Sequence, residues 1–135
     1  MTTWIHDLKN AARIGKSLSS TVRTLLATGS GVDLQSCNEQ SFGIITAETF
    51  TDGVFTITIQ ESRNQNVADP EAADPWTPVE AVNGYPTASV TAVSGAVTVF
   101  NFTRNKRYVR AIATPSLATT GGQFSVNLGS QKSHF

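Results

Sequence analysis

The sequence predicts an all-β fold: an antiparallel β-sandwich or jelly-roll-like domain with an N-terminal arm or short helix. Three observations carry this. Roughly seven to nine short runs alternate apolar and polar residues, with turn signals about every eight to twelve residues. No ten-residue helical pattern lies between those runs. The 135 residues suit one domain with its own core.

Taken in order, residues 1–28 form the arm. Trp4, Ile5, Leu8 and Ala12 are spaced for a helix, but Gly15 and Ser19-Ser20-Thr21 weaken a long one. Residues 21–27 equally suit an extended strand, because Val22, Thr24 and Leu26 share one strand face. Residues 1–18 are read as an arm or small helix lying on the domain or on a neighbour. The sandwich then spans 29–129, and 130–135 is a flexible tail.

Gly29-Ser30-Gly31 marks a turn, after which Val32 and Leu34 alternate with Asp33 and Gln35. Residues 41–50 (SFGIITAETF) and 54–60 (VFTITIQ) are strands. Thr51-Asp52-Gly53 between them predicts a hairpin, with glycine taking left-handed dihedrals. Phe55, Ile57 and Ile59 face the core, while Thr56, Thr58 and Gln60 face outward. Residues 62–75, polar and holding two prolines, are a long loop. A short strand follows over 76–82, then a turn at Asn83-Gly84-Tyr85-Pro86. Residues 89–93 and 96–102 bracket Ser94-Gly95 as a second predicted hairpin. Residues 107–114 (RYVRAIAT), apolar on both faces, read as a central strand. The loop 115–122 leads into the last strand, with Phe124, Val126 and Leu128 inward.

Ten basic and ten acidic residues give zero net charge, and only 15% of the chain is charged. The usual figure is about 25%. A polar but weakly charged surface suits protein contact and argues against nucleic acid as a partner. The charges cluster: eight acids fall between Glu39 and Glu80, and Arg104, Lys106, Arg107 and Arg110 form a basic group. No apolar run is long enough to span a membrane, and residues 1–27 do not read as a signal peptide, so synthesis and retention in a cytoplasm is expected.

The motifs of catalysis are missing from the pattern, so no enzyme, metal or cofactor is expected. His6 and His134 lack neighbouring ligands, and no nucleophile elbow or phosphate loop occurs. Asp69, Glu71 and Asp74 match no calcium loop, since each aspartate precedes a proline. Glu48 and Glu61 read as solvated strand-end residues, and Asp52 as a hairpin residue. Cys37, the single cysteine, excludes an intramolecular disulfide and reads as a core or strand residue. Trp4, Trp76, Tyr85 and Tyr108 suit sugar stacking, core filling or interface anchoring alike. The candidate interface residues are Trp4, Ile5, Leu8, Arg13, Trp76, Arg104 and Arg107.

Residues 31–36 (GVDLQS), 51–62 (TDGVFTITIQES), 106–114 (KRYVRAIAT) and 120–129 (TGGQFSVNLG) occur in an order that resembles a family of small tailed-bacteriophage head proteins. Its members are decoration (cement) or minor capsid proteins. The resemblance covers roughly 29–129 and departs from the family at Arg63, where an acidic residue usually follows Gln-Glu-Ser. It implies a virion protein on the outer capsid surface, with the major capsid protein as partner. It also implies a homo-oligomer, dimer or trimer, and no catalytic residues. Other expectations are a tail, neck or spike component, or a carbohydrate-binding or adhesion module.

Overall fold

The computed structural model describes residues 11–63, 75–86 and 88–132. Their strands are β1 (Ala12–Arg23), β2 (Ala27–Thr28), β3 (Val32–Asp33), β4 (Cys37–Ala47), β5 (Val54–Ser62), β6 (Thr77–Pro78), β7 (Ala81–Val82), β8 (Val90–Thr91), β9 (Val97–Thr103), β10 (Tyr108–Ser116) and β11 (Gly122–Lys132). A five-stranded sheet, sheet A, runs β1-β11-β4-β9-β7. Sheet B runs β2-β10-β5-β6, with β3 also on β10 and β8 also on β5. Every pairing is antiparallel. The result is an all-β, sandwich-like architecture with no closed barrel among the described residues.

Strand periodicity builds the core. Phe55, Ile57 and Ile59 on β5 are buried while Thr56, Thr58 and Gln60 are half-exposed, as the alternation predicts. Phe124, Val126 and Leu128 on β11 and Val109, Ala111 and Ala113 on β10 complete it. Phe55 of sheet B meets Phe124 of sheet A at 5.1 Å between ring centroids, and Phe50 stands edge-on to both. The ring of Phe100 lies over Gly43, where a β-carbon would come within 2.1 Å of it. β10 is the central strand expected, with β5 on one side and β2 and β3 on the other.

Both predicted hairpins are instead crossings between sheets. β4 belongs to sheet A and β5 to sheet B, so residues 51–53 form a corner. Gly53 does have positive φ, at 98°, so the local conformation is as expected and only the strand partner differs. β8 and β9 likewise lie in different sheets, so Ser94-Gly95 is a second corner. The predicted strand over 76–82 splits as well: β6 pairs with β5 and β7 with β9.

The corners at this end interlock. The Asp52 carboxylate accepts the N–H groups of Thr119 (3.0 Å), Thr120 (3.1 Å) and Gly121 (2.7 Å) from the β10–β11 connection. Those bonds hold its pKa below the usual carboxylate value, Gly121 contributing most. Phe50 N–H donates to Ser94 Oγ at 2.7 Å, and Gly95 N–H to Glu48 C=O at 2.9 Å. Asp52 is therefore a tie between connections, not a hairpin residue.

Residues 12–18 form part of a strand rather than an arm or helix. β1 pairs along β11 from Ala12 with Gln131 to Arg23 with Gly122. Two bulges interrupt it, between Lys16 and Leu18 and between Leu18 and Thr21. The first turns Ser17 inward beside Leu18, and both are buried. Ser17 Oγ accepts Ala111 N–H from sheet B at 2.9 Å and donates to Ser30 C=O at 2.9 Å. Ser30 N–H donates to Ser17 C=O and Gly29 N–H to Ala111 C=O, both at 2.8 Å. β1 of sheet A is thus stitched to β10 of sheet B. β11 extends to Lys132, so residues 130–132 belong to the sheet and not to a tail.

Candidate interaction surface

The expected interface residues fall in different settings. Trp4, Ile5 and Leu8 lie outside the described residues. Arg13, on β1, is half-buried and donates from Nη1 to Gln35 C=O at 3.0 Å. Arg107 is exposed and pairs bidentately with Asp33, at 2.9 Å from Nε and 2.8 Å from Nη2. Its guanidinium also sits 4.9 Å from the Tyr108 ring centroid. The Arg107 hydrogen bond is the main reason the Asp33 carboxyl titrates at about 2, and the charge of Arg13 adds to it. Asp33 is thus bonded to Arg107, while Arg13 acts on it only through its charge. Trp76 is half-buried, its ring centroid 4.4 Å from the Arg110 guanidinium, which in turn donates to Gln60 Oε1 at 3.0 and 2.8 Å.

Arg104 is no surface residue. It is 7% exposed and its guanidinium is spent inside the fold. Nη2 donates to the carbonyls of Leu34 (2.8 Å), Cys37 (2.9 Å) and Asn38 (3.1 Å). Nη1 donates to Lys106 C=O at 2.8 Å and Nε to Ser41 Oγ at 3.3 Å. A guanidinium has five N–H donors, which suits it to gathering carbonyls where two connections meet. Burial weakens its hold on the proton, and the nearby acids Glu61, Glu39 and Asp33 oppose that. Glu61 is buried too, accepting Asn105 N–H at 2.7 Å and Lys106 N–H at 3.2 Å. It is not the solvated strand-end residue that its position suggested.

The surface with the clearest capacity for contact is the outer face of sheet A. Directly opposed residues share a face, so register defines its rows. One runs Ile14, Gly129, Phe42, Asn101; the next Lys16, Asn127, Ile44, Val99; the third Ser125, Thr46, Val97. Lys16 is the one charge in these three rows. Ile14, Val97 and Val99 are exposed, and Phe42 and Ile44 half-buried. Phe42 and Ile14 close over Gly129, where a β-carbon would meet Phe42 at 2.8 Å and Ile14 at 2.9 Å. Beside Phe42, the amides of Gln40, Asn101 and Gln131 line a hollow of about 440 Å³.

This face was written in the sequence. In 41–47 both parities are apolar, Phe42 and Ile44 against Gly43, Ile45 and Ala47. In 97–102 Val97 and Val99 oppose Phe100 and Phe102. A strand apolar on both faces either lies between layers or shows one apolar face to something outside the chain.

Cys37 is half-buried at the core margin, as a strand residue. Among the described residues, no group of three or more His, Cys, Asp or Glu is placed to hold a metal ion. No helix among them is long and apolar enough to cross a membrane. No protein-family model matches this chain, and no curated protein or solved structure is significantly similar to it.

Proposed function

We propose that this domain is a tailed-bacteriophage capsid decoration (cement) protein that binds the outer surface of the major capsid lattice and stabilises the head. The observation that carries the proposal is the outer face of sheet A: broad, nearly free of charge, and built of valine, isoleucine and phenylalanine among amides and hydroxyls. Interface centres are depleted in charge and enriched in large apolar side chains. Many copies on a symmetric shell turn a weak contact into a strong collective one. The family resemblance supports the same reading, and its stretches fall on β3, β5 and β10 of sheet B and on β11, which gives Ser125, Asn127 and Gly129 to that face. On this reading the two sheets form a β-sandwich that acts as a rigid plate, and the work of the protein is mechanical rather than catalytic.

The test is cosedimentation with mature phage heads lacking the protein, counting copies per head. Saturation at a number matching the capsid lattice is expected. Ile44→Asp, at the centre of the face, should abolish binding while the circular dichroism of the domain is kept. A few copies at a vertex or tail would reassign the protein to a neck, tail or spike role.

A carbohydrate-binding reading has one observation in its favour, the amide-lined hollow beside Phe42. Aromatic and amide groups together suit a sugar ring. Binding on a glycan array that is lost in Phe42→Ala, without head binding, would favour it.

A further inference from the structure

The edge of sheet A beyond β9 is open. β7 covers only Phe102 and Thr103, through Val82 and Ala81. Asn101 is engaged next to them: its C=O accepts Asn83 N–H at 2.8 Å and its N–H donates to Asn83 Oδ1 at 3.0 Å. In an antiparallel strand alternate residues direct their backbone groups to the same side. Asn101 points away from β4, so Val99 and Val97 do too. Among the described residues no strand stands beside them there. Their side chains are 67% and 64% exposed.

Monomeric proteins blunt such edges with lysine, proline, bulges or a covering loop. Among the described residues β9 has none of these. Its sequence, VTVFNFT, has no lysine, proline or charge, and its register with β4 is unbroken from Gln40–Thr103 to Thr46–Val97. No described strand lies over Val97 and Val99.

We propose that this edge pairs with β9 of a second copy of the chain, antiparallel, about a two-fold axis at Thr98. That register sets Val97 of each protomer opposite Val99 of the other, and each pair exchanges both N–H···O bonds. It uses the open backbone groups on both chains and none that Asn83 holds. The window also selects its occupant. An entering strand must leave the edge before it reaches Asn83, and β9 does so, because the chain turns at Gly95 with φ 72°. No charge opposes its own copy across the axis. The surface buried is small beside a standard interface of about 1,600 Å², so the dimer is a weak one, formed at high concentration or on a template. The pairing stands whether or not the capsid reading does, since it needs only the edge.

Sedimentation equilibrium of the full chain from about 10 µM to 1 mM tests it, a range bracketing weak association. Concentration-dependent dimer is expected. The Val97→Lys/Val99→Lys double variant sets like charges opposite each other in both pairs and should weaken dimerisation by about tenfold or more, as should Val97→Glu/Val99→Glu. Mixing the two should restore a dimer containing one of each. Val99→Pro removes only an outward N–H, which an edge strand tolerates, and should also give monomer with the fold kept by circular dichroism. A wild type that stays monomeric throughout overturns the proposal. So do double variants that dimerise as wild type, a mixture that stays monomeric, or a Val99→Pro dimer of wild-type strength.

Discussion

At one edge of sheet A, β1 is bulged twice, carries Arg13, Lys16 and Arg23, and is stitched through Ser17 to the opposite sheet. At the other, β9 is regular and uncharged, and among the described residues no strand pairs with its outer side at Val97 and Val99. The two strands belong to one sheet, yet the closed edge is spent on the domain itself while the open edge is left for something outside it. Unpaired strand edges are aggregation hazards. A chain that defends one edge with bases and bulges and exposes valines on the other has a use for the second.

The contrast can be broken most severely at the closed edge. Gly29→Ala would drive a β-carbon to 2.2 Å from Ser17 Oγ and 2.8 Å from two backbone oxygens. A loss of about 3 kcal/mol or more is expected in urea unfolding, since backbone cannot yield as a side chain can. Ser17→Ala comes next. It leaves the buried Ala111 N–H without its acceptor and should cost about 2 kcal/mol by the same measurement.

The ionic part of that edge is smaller. Asp33, on β3 behind β1, has its carboxyl held at about 2 chiefly by the Arg107 hydrogen bond. An unfolded aspartate titrates near 3.9, so the unfolded chain takes up the proton first as pH falls. The contribution is complete above about pH 4 and is lost as pH falls through about 2. Both side chains are well exposed, 42% for Arg107 and 37% for Asp33, so solvent and salt screen the pair. Arg107→Gln should lower the urea midpoint slightly at pH 7, less at high salt, and less still as pH falls from about 4 toward 2. The smallest effect belongs to the open edge. Val97→Thr/Val99→Thr should change monomer stability by no more than about 0.5 kcal/mol, measured in dilute protein, because these side chains contribute little to the core.

Much of the scaffold was legible because strand periodicity is a local signal. Phe55, Ile57 and Ile59, or Phe124, Val126 and Leu128, declare a face without reference to any partner. What was not legible depended on the partner. Thr51-Asp52-Gly53 specifies a chain reversal and a left-handed glycine, but not whether the next strand returns to the same sheet. Arg104 stood in a basic cluster that looked like surface, and the carbonyls that draw it inward come from Leu34, Cys37 and Asn38, more than sixty residues away. Ser17 lay in a segment with mixed helical and strand signals, and its role exists only because a bulge turns it inward. The outer face of sheet A was visible in principle, as two strands apolar at both parities. The candidate interface residues are instead Trp4, Ile5, Leu8, Arg13, Trp76, Arg104 and Arg107, and the structure ties Arg13, Arg104 and Arg107 to the chain's own carbonyls and carboxylates.

The place of β11 sets a timetable for synthesis. It lies between β1 and β4, pairing residues from Ala12 to Arg23 on one side and from Cys37 to Ala47 on the other. Until residues 122–132 have left the ribosome, those two strands share no partner, and the inner face they have begun lacks Phe124, Val126 and Leu128. Sheet B has no such wait beyond β10. Non-local pairing of this kind is slow, on the order of milliseconds to seconds. A nascent chain stalled before residue 122 should therefore be protease-sensitive in β1, and release of the last strand should bring protection to β1 and β11 together.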